Sequence, residues 1–142
     1  MSDDGPATPD ELMSDGFGYW FAGLVDGEGS FLLKRNRSGY LAALSIQLRD
    51  DDRETLQHCM GRLRMGKLYA VGVRIAHWQV LKRVHTRALV DILDRYPLRT
   101  KKLADYLFWR EAVLEWPEGK PRDWTRIAEL KTLMEEGRRY GG

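Results

Sequence analysis

The stretch that most constrains this chain is Trp20-Phe21-Ala22-Gly23-Leu24-Val25-Asp26-Gly27-Glu28-Gly29-Ser30-Phe31. Up to Asp26 it has the apolar content of a helix end, and after Gly29 it takes on strand character, with Glu28 the lone acid between them. Ala22, Gly23 and Gly27 leave one face of that helix almost without side chains, and a bare face lets another backbone approach closely. A fold built on this run must cover that face and present a carboxylate where helix passes into strand. Two better-known loops are excluded by spacing. A calcium loop opening at Asp26 needs glycine at its sixth position and a bidentate acid at its twelfth, but those positions are Phe31 and Arg37. A dinucleotide loop needs a third glycine three residues after Gly29, where the chain has Leu32.

The remaining elements follow in a repeating order. A helix is predicted over about 17–26, broken by Gly27 and Gly29. A strand follows to about 35, the turn signal Asn36-Arg37-Ser38-Gly39 comes next, and a returning strand covers 40–48. Asp50-Asp51-Asp52 reads as the cap and first turn of a helix to about 64, with Leu56, Cys59, Met60 and Leu63 at helical spacing. Gly66 ends it, and a second hairpin pairs 67–71 with 74–81 around Gly72. A helix over 84–95 is stopped by Pro97, and further helices over 101–116 and 123–139 are separated by Pro117, Gly119 and Pro121. Trp109, Trp116 and Trp124 are expected in the core of those last helices. The order αββαββα plus extra C-terminal helices specifies an α+β fold, an antiparallel sheet with helices on one face.

At 142 residues the chain has the size of one domain, expected over 16–142, with 1–15 as a flexible acidic tail lacking periodicity. The single Cys59 leaves no internal disulfide and reads as plain core, and His58, His77 and His85 lack zinc-ligand spacing. No apolar run has membrane length, so the expected setting is intracellular: cytoplasm, a host organelle or the nucleoid, with no membrane partner. The formal net charge of +2 hides an asymmetry. Asp3, Asp4, Asp10, Glu11 and Asp15 sit in the first fifteen residues, and setting those five acids aside leaves 23 basic against 16 acidic side chains. Residues 29–49 and 55–90 contain no acid at all. Basic residues segregated onto strands fit a surface facing a polyanion, and equally an ordinary solvated face. Alternation puts Ser30, Leu32, Lys34 and Asn36 on one side of the first hairpin with Ala43, Ser45, Gln47 and Arg49, while Lys67, Tyr69, Arg74, His77 and Gln79 are candidates on the second. Such side chains read base edges in a major groove, and Arg35 and Arg37 suit phosphates.

Residues 21–29, Phe-Ala-Gly-Leu-Val-Asp-Gly-Glu-Gly, resemble the LAGLIDADG signature of homing endonucleases almost letter by letter, and the segment 96–102 resembles that family's lysine-bearing motif. The chain holds a single such motif. The resemblance implies a homodimer built across Trp20, Ala22, Gly23, Asp26 and Gly27, which would also satisfy the bare helix face. It implies a double-strand break across the minor groove of a long, near-palindromic duplex DNA site, leaving 3′ overhangs, by a protein encoded in a mobile element. No small-molecule substrate is expected. Glu28, the second acid of the motif, is the implied catalytic metal ligand, and a hard carboxylate suits Mg²⁺ or Mn²⁺. The Gly29 carbonyl is a candidate second ligand. Lys101 or Lys102 is the implied active-site lysine, with Lys101 in better register. Asp50 aligns with a solvent-ordering position, although a helix cap explains it equally well. The rival expectation is a DNA- or RNA-binding protein that keeps the fold without cutting, such as a maturase or regulator.

Overall fold

A computed structural model describes residues 5–37, 39–115 and 124–141, and for residues 36 and 139–141 it describes the backbone alone. Five helices and four strands follow in the order α1 (Phe17–Glu28), β1 (Gly29–Asn36), β2 (Gly39–Arg49), α2 (Arg53–Leu63), β3 (Lys67–Val71), β4 (Ile75–Val80), α3 (Arg83–Arg95), α4 (Lys102–Glu115) and α5 (Trp124–Gly141). A single turn of 3₁₀ helix precedes α1 at Pro9–Leu12, and another, Asp50–Asp52, leads into α2. The strands form one antiparallel sheet in the order β1-β2-β4-β3. Expected element types all appear, and the α+β class with it.

Register decides which side of the sheet is core. Phe31 lies opposite Leu44, and Gly29 opposite Ile46, which in turn faces Trp78 and through it Leu68. This set, with Leu33 and Val80, is packed by the helices into one apolar cluster that runs from Ala7 to Met134. Trp78 is its centre. Its ring meets Phe21 of α1 edge-on at 6.0 Å, and its Nε1 donates to the Met65 carbonyl at 3.1 Å. Gly66 has φ +86°, and a Cβ there would stand 2.4 Å from Trp78 Nε1, so that turn admits no side chain. Cys59 is fully buried and desolvation pushes its thiol up to about 12, as befits inert core.

Three sequence expectations are corrected. The first helix does not break at Gly27 but runs on through Glu28, because Phe21 and Val25 anchor its inner face and Gly27 sits outward in open space. Residues 5–15 are not a loose tail. Ala7 and Leu12 are buried, the Ala7 amide bonds the Leu63 carbonyl, and Asp10, Glu11 and Asp15 pair with Arg95, Arg64 and Arg62 at 2.9, 3.0 and 2.6 Å. Apolar anchors and ion pairs outweigh the segment's poor local propensity. Trp109 is fully buried as expected, but Trp124 is 43% exposed, with Arg35 over its ring. Trp116 and the 117–121 breakers lie outside the described residues.

Tyr96 ties the N-terminal segment to α1. Its hydroxyl donates to the Pro9 carbonyl at 2.8 Å and its ring packs edge-on against Tyr19 at 4.8 Å. Gly18 makes room for it: a Cβ there would lie 2.4 Å from the ring. Gly18→Ala should therefore destabilise the protein by about 1–3 kcal/mol, seen as a melting temperature several degrees lower; an unchanged melting temperature would mean that the ring moves aside freely.

Candidate active site

Glu28 is the last residue of α1, exposed, with no hydrogen-bond or ion-pair partner among the described residues. Gly29 opens β1, and its amide closes the helix on the Val25 carbonyl. A Cβ at Gly29 would stand 2.9 Å from both that oxygen and Val25 Cγ1, so only glycine permits so abrupt a passage from helix to strand.

The segment before α4 is fastened to this junction. The Asp26 carboxylate accepts from the Arg99 amide at 2.9 Å, the Thr100 amide at 3.1 Å and the Thr100 hydroxyl at 2.6 Å. Thr100 Oγ1 then accepts from the Lys102 amide at 3.2 Å, and Lys102 Nζ returns to the Gly29 carbonyl at 2.5 Å. The chain from Asp26 to Gly29 and the chain from Arg99 to Lys102 thus hold each other at both ends. Lys102 is therefore the lysine brought to the junction, while Lys101, which sequence register favoured, is exposed beside it. Helical geometry explains the difference: Lys102 is the first residue of α4 and its direction is set by that helix. Asp50 lies four residues beyond Ile46, the partner of Gly29, which is about 13 Å along β2. Its carboxylate pairs with Arg53 at 3.5 Å.

One copy of the chain offers one carboxylate and one carbonyl here, and no cluster of three His, Cys, Asp or Glu among the described residues could hold a metal ion. The pair nevertheless suits a hard cation that keeps most of its waters. Glu28 is unpaired, and the Gly29 carbonyl already receives the Lys102 ammonium, a stand-in positive charge at that oxygen.

The open side of the sheet carries nine of the thirteen sequence-derived reading candidates. Ser30, Ser45, Gln79 and Lys67 make one row across all four strands, and Gln47, His77 and Tyr69 make the next. Lys34 and Arg49 are exposed on the same side, with Leu32 and Ala43 between. Ser45 is buried because His77 covers it, its hydroxyl bonded to Nε2, and Tyr69 flanks the imidazole at 5.7 Å between centroids. Three candidates fall elsewhere. Arg35 has the parity of Phe31 and Leu33, so it points to the helical side and lies 5.1 Å over the Trp124 ring. Arg74 belongs to the turn before β4, where its carbonyl accepts from the Asp50 amide at 2.7 Å. Arg37 is exposed in the β1–β2 turn, and the Asn36 side chain lies outside the described residues. On α1, Trp20, Gly23 and Gly27 face outward, and nothing approaches within 4 Å of where a Cβ would sit on either glycine. Ala22 instead packs inward, 3% exposed, and Asp26 is turned to Arg99 and Thr100. The sequence reading assigned no role to Arg99 and Thr100, although they lie within the 96–102 motif, and missed Arg138, which lies outside any motif; all three reach the junction through tertiary packing.

An antiparallel sheet with one polar face, set beside a helix–strand junction that presents a lone carboxylate, is the architecture of a family of DNA-cutting proteins. A family model described as LAGLIDADG endonuclease matches residues 21–113, and this chain belongs to that family. It is 23% identical over 126 residues to the probable intron-encoded endonuclease Cox1-I1b of Schizosaccharomyces pombe, covering 84% of this chain and 33% of that protein. Among solved structures, it is similar to the LAGLIDADG meganuclease I-AabMI bound to uncleaved DNA (TM-score 0.73, 24% identity, 82% of this chain and 42% of that one). It is also similar to the homing endonuclease I-TnaI (TM-score 0.71, 23% identity, 86% and 93%). The chain therefore spans about a third of the curated relative and less than half of I-AabMI, but nearly all of I-TnaI.

Burial first, and the charge of Lys34 second, hold the His77 imidazole below its ordinary range near 6.5. The neutral ring therefore persists to lower pH than in the unfolded chain, and its contribution to stability, present above 6.5, is lost as pH falls through the folded value. An NMR titration should find His77 titrating low, and Lys34→Ala should move it part of the way back. A midpoint at or above the ordinary value would contradict the Ser45–His77 arrangement.

Proposed function

We propose that the protein is a site-specific endonuclease that binds a long, near-palindromic duplex DNA as a homodimer and makes a metal-dependent double-strand break. The observation that carries this reading is Glu28: an unpaired carboxylate on a fixed helix–strand junction, with a lysine at the adjacent carbonyl and a polar sheet face alongside. Phosphodiester hydrolysis needs an activated water, a countercharge for the phosphate and a fixed geometry between them. Glu28 and the Gly29 carbonyl would hold Mg²⁺ or Mn²⁺, which when bound supplies Lewis acidity and a more acidic water. Lys102, already held at the junction, contributes fixed positive charge next to the phosphate. Lys101 and Asp50 stand further out, suited to the backbone of the substrate and to its water.

Ser30, Lys34, Gln47, Arg49, Lys67, Tyr69, His77 and Gln79 form a surface with the donors and acceptors that major-groove base edges require, with Ser45 beneath His77. The DNA-bound state of I-AabMI, on the same fold, supports duplex DNA as the partner. Two glycines inside a helix each cost about 1 kcal/mol relative to alanine, and among the described residues nothing uses the space they leave. That space supports a two-fold contact through Trp20, Gly23 and Gly27, which would bring two Glu28 carboxylates together at the axis. I-AabMI, more than twice the length matched here, has room for a second such unit in one chain, while I-TnaI has the length of one. No described helix is long and apolar enough to cross a membrane, and an encoding intron or other mobile element would place the protein in the compartment that holds its DNA target.

Two tests follow. Purified protein incubated with Mg²⁺ and a DNA library should yield paired ends with 3′ overhangs at one near-palindrome. Glu28→Gln should keep its melting temperature and DNA affinity, since an exposed substitution costs no more than about 0.5 kcal/mol, and lose cutting. Equal enrichment of one site by both proteins without new ends would instead mean a binding protein on this scaffold. Separately, Gly23→Leu should preserve the folded monomer but abolish the dimer in sedimentation; a dimer that survives it must use another face.

A further inference from the structure

β1 is an outer strand of the sheet, so alternate carbonyls along it point away from β2 with no strand to receive them. Cations cap two of these. Lys102 of α4 caps the Gly29 carbonyl, and Arg138 of α5 donates from Nη2 to the Phe31 carbonyl. The two oxygens are successive outward acceptors on one edge, roughly 7 Å apart. Arg138 is itself aimed, with its Nε 3.4 Å from the Asp105 carboxylate, which is largely buried. Asp105 lies three residues after Lys102, on the same face of α4. Helix α5 runs close to Asp105 here, where a Cβ at Gly137 would lie in ordinary van der Waals contact with its Oδ1 at 3.6 Å. Helices α4 and α5 thus grip the β1 edge at two consecutive points immediately after Glu28.

We propose that Arg138 is a positioning residue for the Glu28 site, fixing the start of β1 and so the relative placement of the Glu28 carboxylate and the Gly29 carbonyl. Asp26 anchors the helical side of the junction, and a junction held on one side still pivots. Lys102 and Arg138 supply the second and third fixed points, on the strand side. Arg138 lies beyond the 21–113 match, so the motif does not require it. Its consequence for cutting rests on the nuclease reading above, but the clamp does not. A simple covering of the sheet edge would affect stability alone.

Amide hydrogen exchange over residues 28–33 and single-turnover cutting are measured for wild type, Arg138→Ala, Arg138→Lys and Arg126→Ala. Arg126 pairs with Glu111 and holds α5 on α4 without touching β1, so its variant reports loosening of α5 by itself. Losing a charge-assisted hydrogen bond should raise exchange in Arg138→Ala about tenfold or more and lower the cutting rate at saturating DNA about tenfold, with DNA affinity within about twofold. Arg138→Lys should restore part of both, and Arg126→Ala should change neither. Unchanged exchange in Arg138→Ala, or an equal rise in Arg126→Ala, overturns the clamp. Raised exchange with an undiminished cutting rate overturns the positioning role. Raised exchange in Arg138→Ala alone, in a wild-type protein that cuts no DNA, leaves the clamp standing and removes the nuclease reading.

Discussion

The geometry of the candidate site depends on the Asp26 carboxylate. It accepts three hydrogen bonds from Arg99 and Thr100 across seventy residues of intervening chain, and bonds to an ionised acceptor are among the strongest available to a protein. Both hairpins and two helices lie between the two segments, so this contact forms only when the whole sheet is assembled. Once formed, it sets where α4 begins, and hence where Lys102 points. Glu28 and Lys102 are thereby related through a rigid path rather than through contact with each other.

The sheet separates two kinds of work. Its helical side holds the aromatic core around Trp78, where Phe31, Tyr106 and Trp109 also pack within about 6 Å of one another. Its open side is polar and close to free of acids, and its central member, His77, is held neutral by burial and by Lys34. Each strand serves both sides through alternation alone. That economy explains why Arg35, one residue from Lys34, ends on the opposite side over Trp124 rather than among the candidate DNA contacts.

Element types were legible because the chain alternates hydrophobic periods of two and 3.6 with glycine- and proline-rich breaks. The site was legible in part. Glu28 stands in a dense local motif, and strand parity put Ser30, Lys34, Ser45, Gln47 and Arg49 on one side of the first hairpin. What escaped depended on long-range contacts. Residues 5–15 look disordered by composition, yet Leu12 and Ala7 find core and three acids find arginines in α2, at its C-cap and in the last turn of α3. The choice between Lys101 and Lys102 turned on where α4 starts, which is decided by Asp26. Ala22 looked like part of a bare face because it is small, but helical phase turns it inward with Phe21 and Val25.

The pairing of Asp10, Glu11 and Asp15 with Arg95, Arg64 and Arg62 gives the N-terminal segment the character of an intramolecular counterion. Those arginines are paired on the helical side of the molecule, while Lys34 and Lys67 on the open sheet have no such acid beside them among the described residues. The modest overall charge therefore conceals a local separation, with paired arginines beside the N-terminal segment and unpaired lysines on the open face. A polyanion approaching that face from solution would meet positive charge with no acid beside it.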